Sequence, residues 1–256
     1  NIRDLKYPEE DAKAFYDFLT SPDGGGFPED HVRLLLGEEA TLREMLKGLV
    51  WLRDSSTEDD LVVFYFAGHG TFDVDKDGDE EDKMDEYLIP YDAEADAIAA
   101  TCLCDDVVGY WFEQVEAKGL VVIFDSCYSG GLPKGQRGLP PRGKPKGPLD
   151  FFNDFDPKGK LVLAASAEDQ LSWEDRSLGH GVFTHFLLEG LKGKADANGD
   201  YRVTVEELYE YVDEEVPKYV REKFHADQEP QLLGKGTKLI EIIGKNRPPI
   251  ADFTWL

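Results

Sequence analysis

Apolar residues along this 256-residue chain follow two rhythms that alternate from one end to the other. A helical rhythm puts Ala12, Phe15, Phe18 and Leu19 on one face of Pro8 to Leu19, and it returns at Thr41 to Leu52, Asp105 to Ala117, Gly181 to Leu191 and Val205 to Phe224. Thr41 followed by Glu44 reads as a capping box. Pro217 predicts a kink or a division in the last helix, because its ring removes an amide donor. Short β-branched runs read as strands at His31 to Leu36, Leu61 to Phe66, Leu120 to Phe124, Leu161 to Ala165 and Lys238 to Ile243. Strands alternating with helices predict an α/β fold, a mostly parallel sheet flanked by helices on both faces.

Two of the strand runs end in chemistry. Phe64-Tyr65-Phe66-Ala67-Gly68-His69-Gly70 delivers an imidazole, and Val121-Val122-Ile123-Phe124-Asp125-Ser126-Cys127 delivers a thiol 58 positions later. Parallel strands present their carboxyl ends along one edge of an open sheet, and ligands bind there. If both runs stop at that edge, His69 stands beside Cys127 as base beside nucleophile. A thiol attacks a peptide carbonyl as the thiolate, so it needs that base. The oxyanion of such a reaction needs backbone donors, and the amides of Gly70 and Cys127 are the natural pair.

Composition narrows the partners. With 28 Lys and Arg against 53 Asp and Glu, the net charge of -25 excludes nucleic acid as a partner and favours cationic peptides and calcium. An apolar fraction of 41% is ample for a core, and no stretch is apolar enough to span a membrane. Three cysteines make no disulfide framework, and Cys102 and Cys104 lack partners at zinc-ligand spacing. Residues 132–160 are rich in Pro and Gly and carry Lys134, Arg137, Arg142, Lys144 and Lys146, so they read as an exposed basic loop. Asp196, Asn198, Asp200, Arg202 and Glu207 fall at positions 1, 3, 5, 7 and 12 of an EF-hand-like loop, with Tyr201 at the turn-glycine position. A calcium loop and a capped helix start both fit that stretch. Asp73 to Asp79 begins the same pattern, but Met84 stands where the bidentate acid belongs. No motif calls for an organic cofactor. His31, His180, His185 and His225 have no motif around them, and surface or helix-face positions are expected.

The segments Phe66 to Gly70 and Asp125 to Gly130, with Asp85 to Asp92, Ser166 to Asp175 and His180 to Thr184, resemble the metacaspase and orthocaspase branch of the caspase-like C14 peptidases of clan CD. The resemblance runs from residue 2 to about residue 243 and implies the caspase-hemoglobinase fold. It also implies a His69/Cys127 endopeptidase that cleaves after Arg or Lys, with Asp125 and Asp11 as the carboxylates of an acidic S1 pocket. Trp173 is expected either to wall the cleft or to pack in the core. Ala67 departs from the serine of many metacaspases. Asp85, Asp105 and Asp106 are the nearest matches to the family's activating calcium cluster, although Lys134 stands near its further acid. Basic specificity makes residues 131–160 a candidate self-processing site. Two other readings stand: a catalytically silent peptide-binding scaffold, and a legumain-like or gingipain-like specificity.

The expected layout is a peptidase domain over 1–244, then a linker and the start of a PKD-type module over 245–256. That tail suggests a secreted or cell-surface prokaryotic protein, with the cytoplasm as the alternative. The family opens on a central strand that has no match before Asn1, so the sheet is expected to lack its first strand and the chain to be insoluble or inactive alone.

Overall fold

The computed structural model describes residues 5–74, 84–127, 160–167, 170–234 and 239–240. The chain begins with α1 (Pro8–Thr20) and α2 (Leu42–Ser55), then β1 (Leu61–Val74) and β2 (Met84–Leu88). A short α3 (Ile98–Thr101) and β3 (Leu103–Cys104) precede α4 (Asp105–Glu113) and β4 (Gly119–Cys127). β5 (Lys160–Ala164), β6 (Glu174–Asp175) and β7 (His180–Gly181) lead into α5 (Val182–Glu189). β8 (Val203–Thr204), α6 (Val205–Phe224), β9 (Gln231–Leu233) and β10 (Leu239–Ile240) complete the described elements. The basic loop, apart from Lys160, and the 245–256 tail lie outside the described residues.

The main sheet has the order β3-β2-β1-β4-β5-β9. β1, β4 and β5 run parallel at its centre, and antiparallel strands flank them on both sides. Period-two alternation sorts β4 cleanly. Val121 and Ile123 enter a core built with Phe15 and Phe18 of α1, Val182 and Phe183 of α5, and Leu208, Val212 and Val216 of α6. Leu120, Val122 and Phe124 enter the opposite core, with Leu49 of α2 and Val108 and Phe112 of α4. Each buried Leu, Val or Phe contributes about 1.5–3 kcal/mol of transfer free energy, so two full layers leave no doubt about why the central strands are apolar throughout. Among the described residues, no helix is long and apolar enough to cross a membrane.

Local signals explain most helix boundaries. Thr41 caps α2 by accepting from the Glu44 amide, and Thr204 and Glu207 close a reciprocal capping box at α6. Pro217 does not divide α6, which runs unbroken for 20 residues. The buried row Leu208, Val212, Val216 and Val220 holds both halves against the sheet, and that packing outweighs one lost amide.

His31 to Leu36 is not a strand. Glu29–His31 forms a 3-10 turn, and the chain beyond it is extended but pairs with no strand. Its surroundings explain why. β4 occupies one side of Leu61–Gly68, while β2 joins the other side only from Gly70 onward. Along the open side runs a cavity of about 1310 Å³, lined by Leu61–His69, by 32–36, and by Phe15, Leu49 and Trp51. Among the described residues no strand pairs with Leu61–Gly68 on that side or with 32–36, in keeping with the missing inner strand expected from the sequence.

Candidate active site

β1 and β4 pair in register from Leu61↔Gly119 to His69↔Cys127. Adjacent strands lie about 4.8 Å apart, so the backbones of the two candidate catalytic residues are immediate neighbours. The alternation along β1 puts His69 on the side of Leu61, Val63 and Tyr65, which face α1 and α5. His69 is not the end of its strand, as the sequence suggested. It is the last residue to pair with β4; the strand continues to Val74 because β2 replaces β4 as its partner, from Gly70↔Leu88 onward. The Ile89 amide donates to the His69 carbonyl at 3.0 Å, which anchors the backbone at that handover. Gly70 is buried within the β1–β2 pairing. Gly68 has a packing reason: a Cβ there would lie 2.7 Å from the Phe66 ring.

Two residues before this tip, the polar centre of the molecule begins. Asp125 is 8% exposed and Asp11, on the first turn of α1, is 3% exposed. Both carboxylates face Gly181, where a Cβ would come within 2.8 Å of Asp125 Oδ2 and 3.0 Å of Asp11 Oδ2. Any side chain at 181 would fill the space between the two acids. Asp125 accepts from Ser172 Oγ and from Thr184 Oγ1, each at 2.6 Å. Thr184 spends its proton there, so the Tyr65 hydroxyl, 2.7 Å away, donates to it. Asp11 accepts from the Gly181 amide at 3.0 Å, and His180 Nδ1 lies 2.7 Å from its Oδ1. Burial, with the Asp125 charge adding to it, pushes the Asp11 carboxyl up to about 9. Burial also raises Asp125, against the bonds from Ser172 and Thr184 that oppose it. Among the described residues, His180 is the one ion-pair partner of either acid. Two buried carboxylates converge on Gly181, and among the described residues no lysine or arginine pairs with either of them.

Trp173 stands at the margin of the α5–α6 core, stacked on Phe224 with ring centroids 4.6 Å apart. Its amide donates to Gln228, a fully buried side chain that also bonds Ala165 and Ser172 and so fixes the loop beneath Asp125.

The other acidic candidates are elsewhere. Asp105 and Asp106 at the start of α4 lie with Cys104, their ligand atoms within 4.8 Å of one another. Burial raises Asp105 to about 6, and burial together with Asp105 raises the Cys104 thiol. Asp85 is not in that triple; it accepts from the Tyr87 hydroxyl at 2.9 Å. In the 196–207 stretch, Asp196 accepts from the amides of Gly199, Asp200 and Tyr201, and Asp200 from that of Arg202. Asn198 donates to Glu207, whose carboxylate also completes the α6 capping box. Tyr201 at the turn position takes a left-handed φ of 65°. The Asp75 to Asp79 part of the second acidic loop lies outside the described residues.

Sequence reasoning assigned Asp11 and Asp125 but missed Tyr65, Ser172, His180, Gly181, Thr184 and Gln228. His180 is not a bystander on a surface, because its ring contacts Asp11. The one available signal was its place in the His180 to Thr184 segment, which pattern alone ties to nothing.

The sequence profile of the caspase domain, a C14 peptidase family, matches residues 1–240. A 126-residue stretch is 30% identical to Metacaspase-1 of Saccharomyces cerevisiae, covering 47% of this chain and 28% of the yeast protein. A 134-residue stretch is 33% identical to Metacaspase-3 of Arabidopsis thaliana, covering 49% of this chain and 35% of the relative. These matches span about a third or less of the relatives' own length. A crystal structure of a Geobacter sulfurreducens protein superposes with a TM-score of 0.59 at 20% identity, covering 89% of this chain and 84% of that one, and it supports the fold. With the strand register that pairs His69 with Cys127 and the profile match across nearly the whole chain, this protein belongs to the caspase-domain family.

Proposed function

We propose that this chain is a cysteine endopeptidase domain that cleaves after Arg or Lys. The observation that carries the specificity is the pair of buried carboxylates, Asp11 and Asp125, converging on Gly181 with no lysine or arginine of the described residues paired to either. Asp125 lies two residues before Cys127, or about 6–7 Å along β4. A substrate whose scissile carbonyl sits at the strand tips can therefore direct a basic side chain toward the two acids. There an Arg fork finds a carboxylate on either side. His69 takes the thiol proton of Cys127 and later protonates the leaving amine. The amides of Gly70 and Cys127 receive the oxyanion.

A P1 panel tests this reading. Peptides with Arg, Lys, citrulline, Asn and Asp at P1 are offered to the wild-type chain and to Cys127→Ala. The expected result is cleavage after Arg and Lys alone, with a loss of at least about 10³-fold in Cys127→Ala. Preference for Asn or Asp points to a legumain-like or caspase-like pocket, and binding without cleavage to a scaffold. Cleavage within 131–160 by the wild type, absent in Cys127→Ala, reports self-processing.

Calcium activation belongs to the same reading. The 196–207 stretch offers oxygen donors from Asp196, Asn198, Asp200, the Arg202 carbonyl and Glu207, in the order a twelve-residue loop requires. Asp105 and Asp106 bring two carboxylates, but with a thiol rather than a third oxygen beside them. A bound calcium would fix the loop before α6 without touching the reacting atoms. A calcium-dependent rise in Tm that Asp196→Asn abolishes supports the loop; a rise that Asp106→Asn abolishes instead assigns the ion to α4.

A further inference from the structure

Asp11 has a conflict to resolve before it can receive a cation. Its carboxyl is buried beside a second buried carboxyl, so in the free protein it keeps its proton at neutral pH. A basic side chain gains its full attraction only from the ionised form. The proton must therefore leave as the ligand enters, and Asp11 itself has no route to water, its side chain being 4% exposed.

We propose that His180 is the positioning residue that removes this proton and so sets the affinity of the pocket for basic side chains. The inference rests on the pocket reading above. His180 Nδ1 is 2.7 Å from Asp11 Oδ1, and the ring is 26% exposed, so one end meets the buried acid and the rest reaches solvent. Burial and Lys192 lower its pKa, so the free ring is neutral and accepts at Nδ1 from the Asp11 hydroxyl. When a basic side chain enters, the proton moves from Oδ1 to Nδ1 and the ring releases its Nε2 proton to solvent. Asp11 becomes a carboxylate facing the ligand, and His180 becomes the Nδ1–H tautomer that donates to it. One proton leaves for each cation bound. The Gly181 amide holds the second oxygen, Oδ2, throughout.

The neighbourhood frames this exchange from every side. Glu10 on α1, Glu174 on β6 and Asp125 on β4 bear on Asp11 or His180 as negative groups. Lys192 beyond α5 opposes a proton on the ring, and His185 of α5 lies 6.5 Å away between ring centroids. Burial first, with the Asp125 charge adding to it, raises the Tyr65 phenol, so it remains a neutral donor.

The experiment compares wild type, His180→Phe and His180→Gln with matched P1-Arg and P1-citrulline peptides from pH 6 to 9.5. In His180→Phe the KM for the Arg peptide should rise about tenfold at pH 7, with kcat within about threefold and the citrulline peptide little changed. That penalty should shrink toward pH 9.5, where Asp11 ionises unaided. His180→Gln keeps a donor to Asp11 but carries no proton, so it should fall between the two. Calorimetry on the Cys127→Ala chain, in buffers of different ionisation heat, should count about one proton released per Arg peptide at pH 7.5 and none per citrulline peptide. An Arg KM and pH profile unmoved by His180→Phe overturn the inference and leave the pocket reading standing. Equal losses for Arg and citrulline peptides also overturn it, since they mark a packing role. A wild type indifferent to P1 charge removes the pocket reading and this inference together.

Discussion

The pocket at Asp11 and Asp125 and the loop at Asp196 to Glu207 use the same residue type to opposite ends. In the loop, the half-buried Asp196 alone accepts from three backbone amides of its own turn, and Glu207 is bonded into the cap of α6. Both oxygens of Asp196 have partners in their own turn, and water screens the charge of the exposed acids. In the pocket, the carboxylates come from elements far apart in the chain, are almost sealed from water, and among the described residues meet hydroxyls, one backbone amide and one imidazole rather than ammonium or guanidinium groups. An exposed acid satisfied by its neighbours is explained by local folding. A buried pair of acids assembled from distant elements is not explained by local folding, and the proposed function gives it a cationic ligand.

The largest break in that contrast comes from Asp125→Asn. The amide keeps the shape and removes the charge, so kcat/KM for Arg and Lys peptides should fall about hundredfold, or ~3 kcal/mol, while the citrulline peptide changes little. Unchanged P1 selectivity rejects the pocket. Asp11→Asn should cost basic substrates about tenfold, yet it should stabilise the fold. A carboxyl raised to about 9 binds a proton in the folded state that the unfolded chain has released. Its contribution to stability is therefore whole below about pH 4 and declines as pH rises toward 9. Relative to wild type, the Tm of Asp11→Asn should be higher at pH 8 and equal near pH 4; a lower Tm at pH 8 contradicts the buried-acid account.

Smaller effects belong to the loop. Without added calcium, Asp196→Ala should lose about 1–2 kcal/mol of stability through its three amide bonds, with P1 preference unchanged. Thr204→Ala removes the α6 cap and should cost about 1 kcal/mol, measured by urea unfolding. A shift in P1 preference in either variant shows that loop and pocket are coupled and dissolves the comparison.

Much of the scaffold was legible beforehand because its signals are local. The run Leu120 to Phe124 fits a strand buried on both faces, Thr41 and Glu44 announce the start of α2, and a His and a Cys at matched ends of two such runs invite pairing. What failed were inferences that depend on neighbours. His31 to Leu36 has the composition of a strand but faces an open slot. The run ending at His69 was read as stopping there, because nothing in it reveals that β2 arrives at Gly70. His180 was unreadable, since its role exists only once α1 has delivered Asp11 from 169 residues away.

By itself, then, the sequence determined the central parallel strands and the longer helices, that His69 and Cys127 share a sheet edge, and that acids are abundant. The tertiary structure alone decided which acids lose their water. Register along β4 carried Asp125 inward, and the docking of α1 and β7 brought Asp11, His180 and Gly181 against it. Periodicity is written over a few residues, whereas desolvation depends on what the rest of the chain packs on top, and that separates an ordinary aspartate from one whose carboxyl is pushed up by burial.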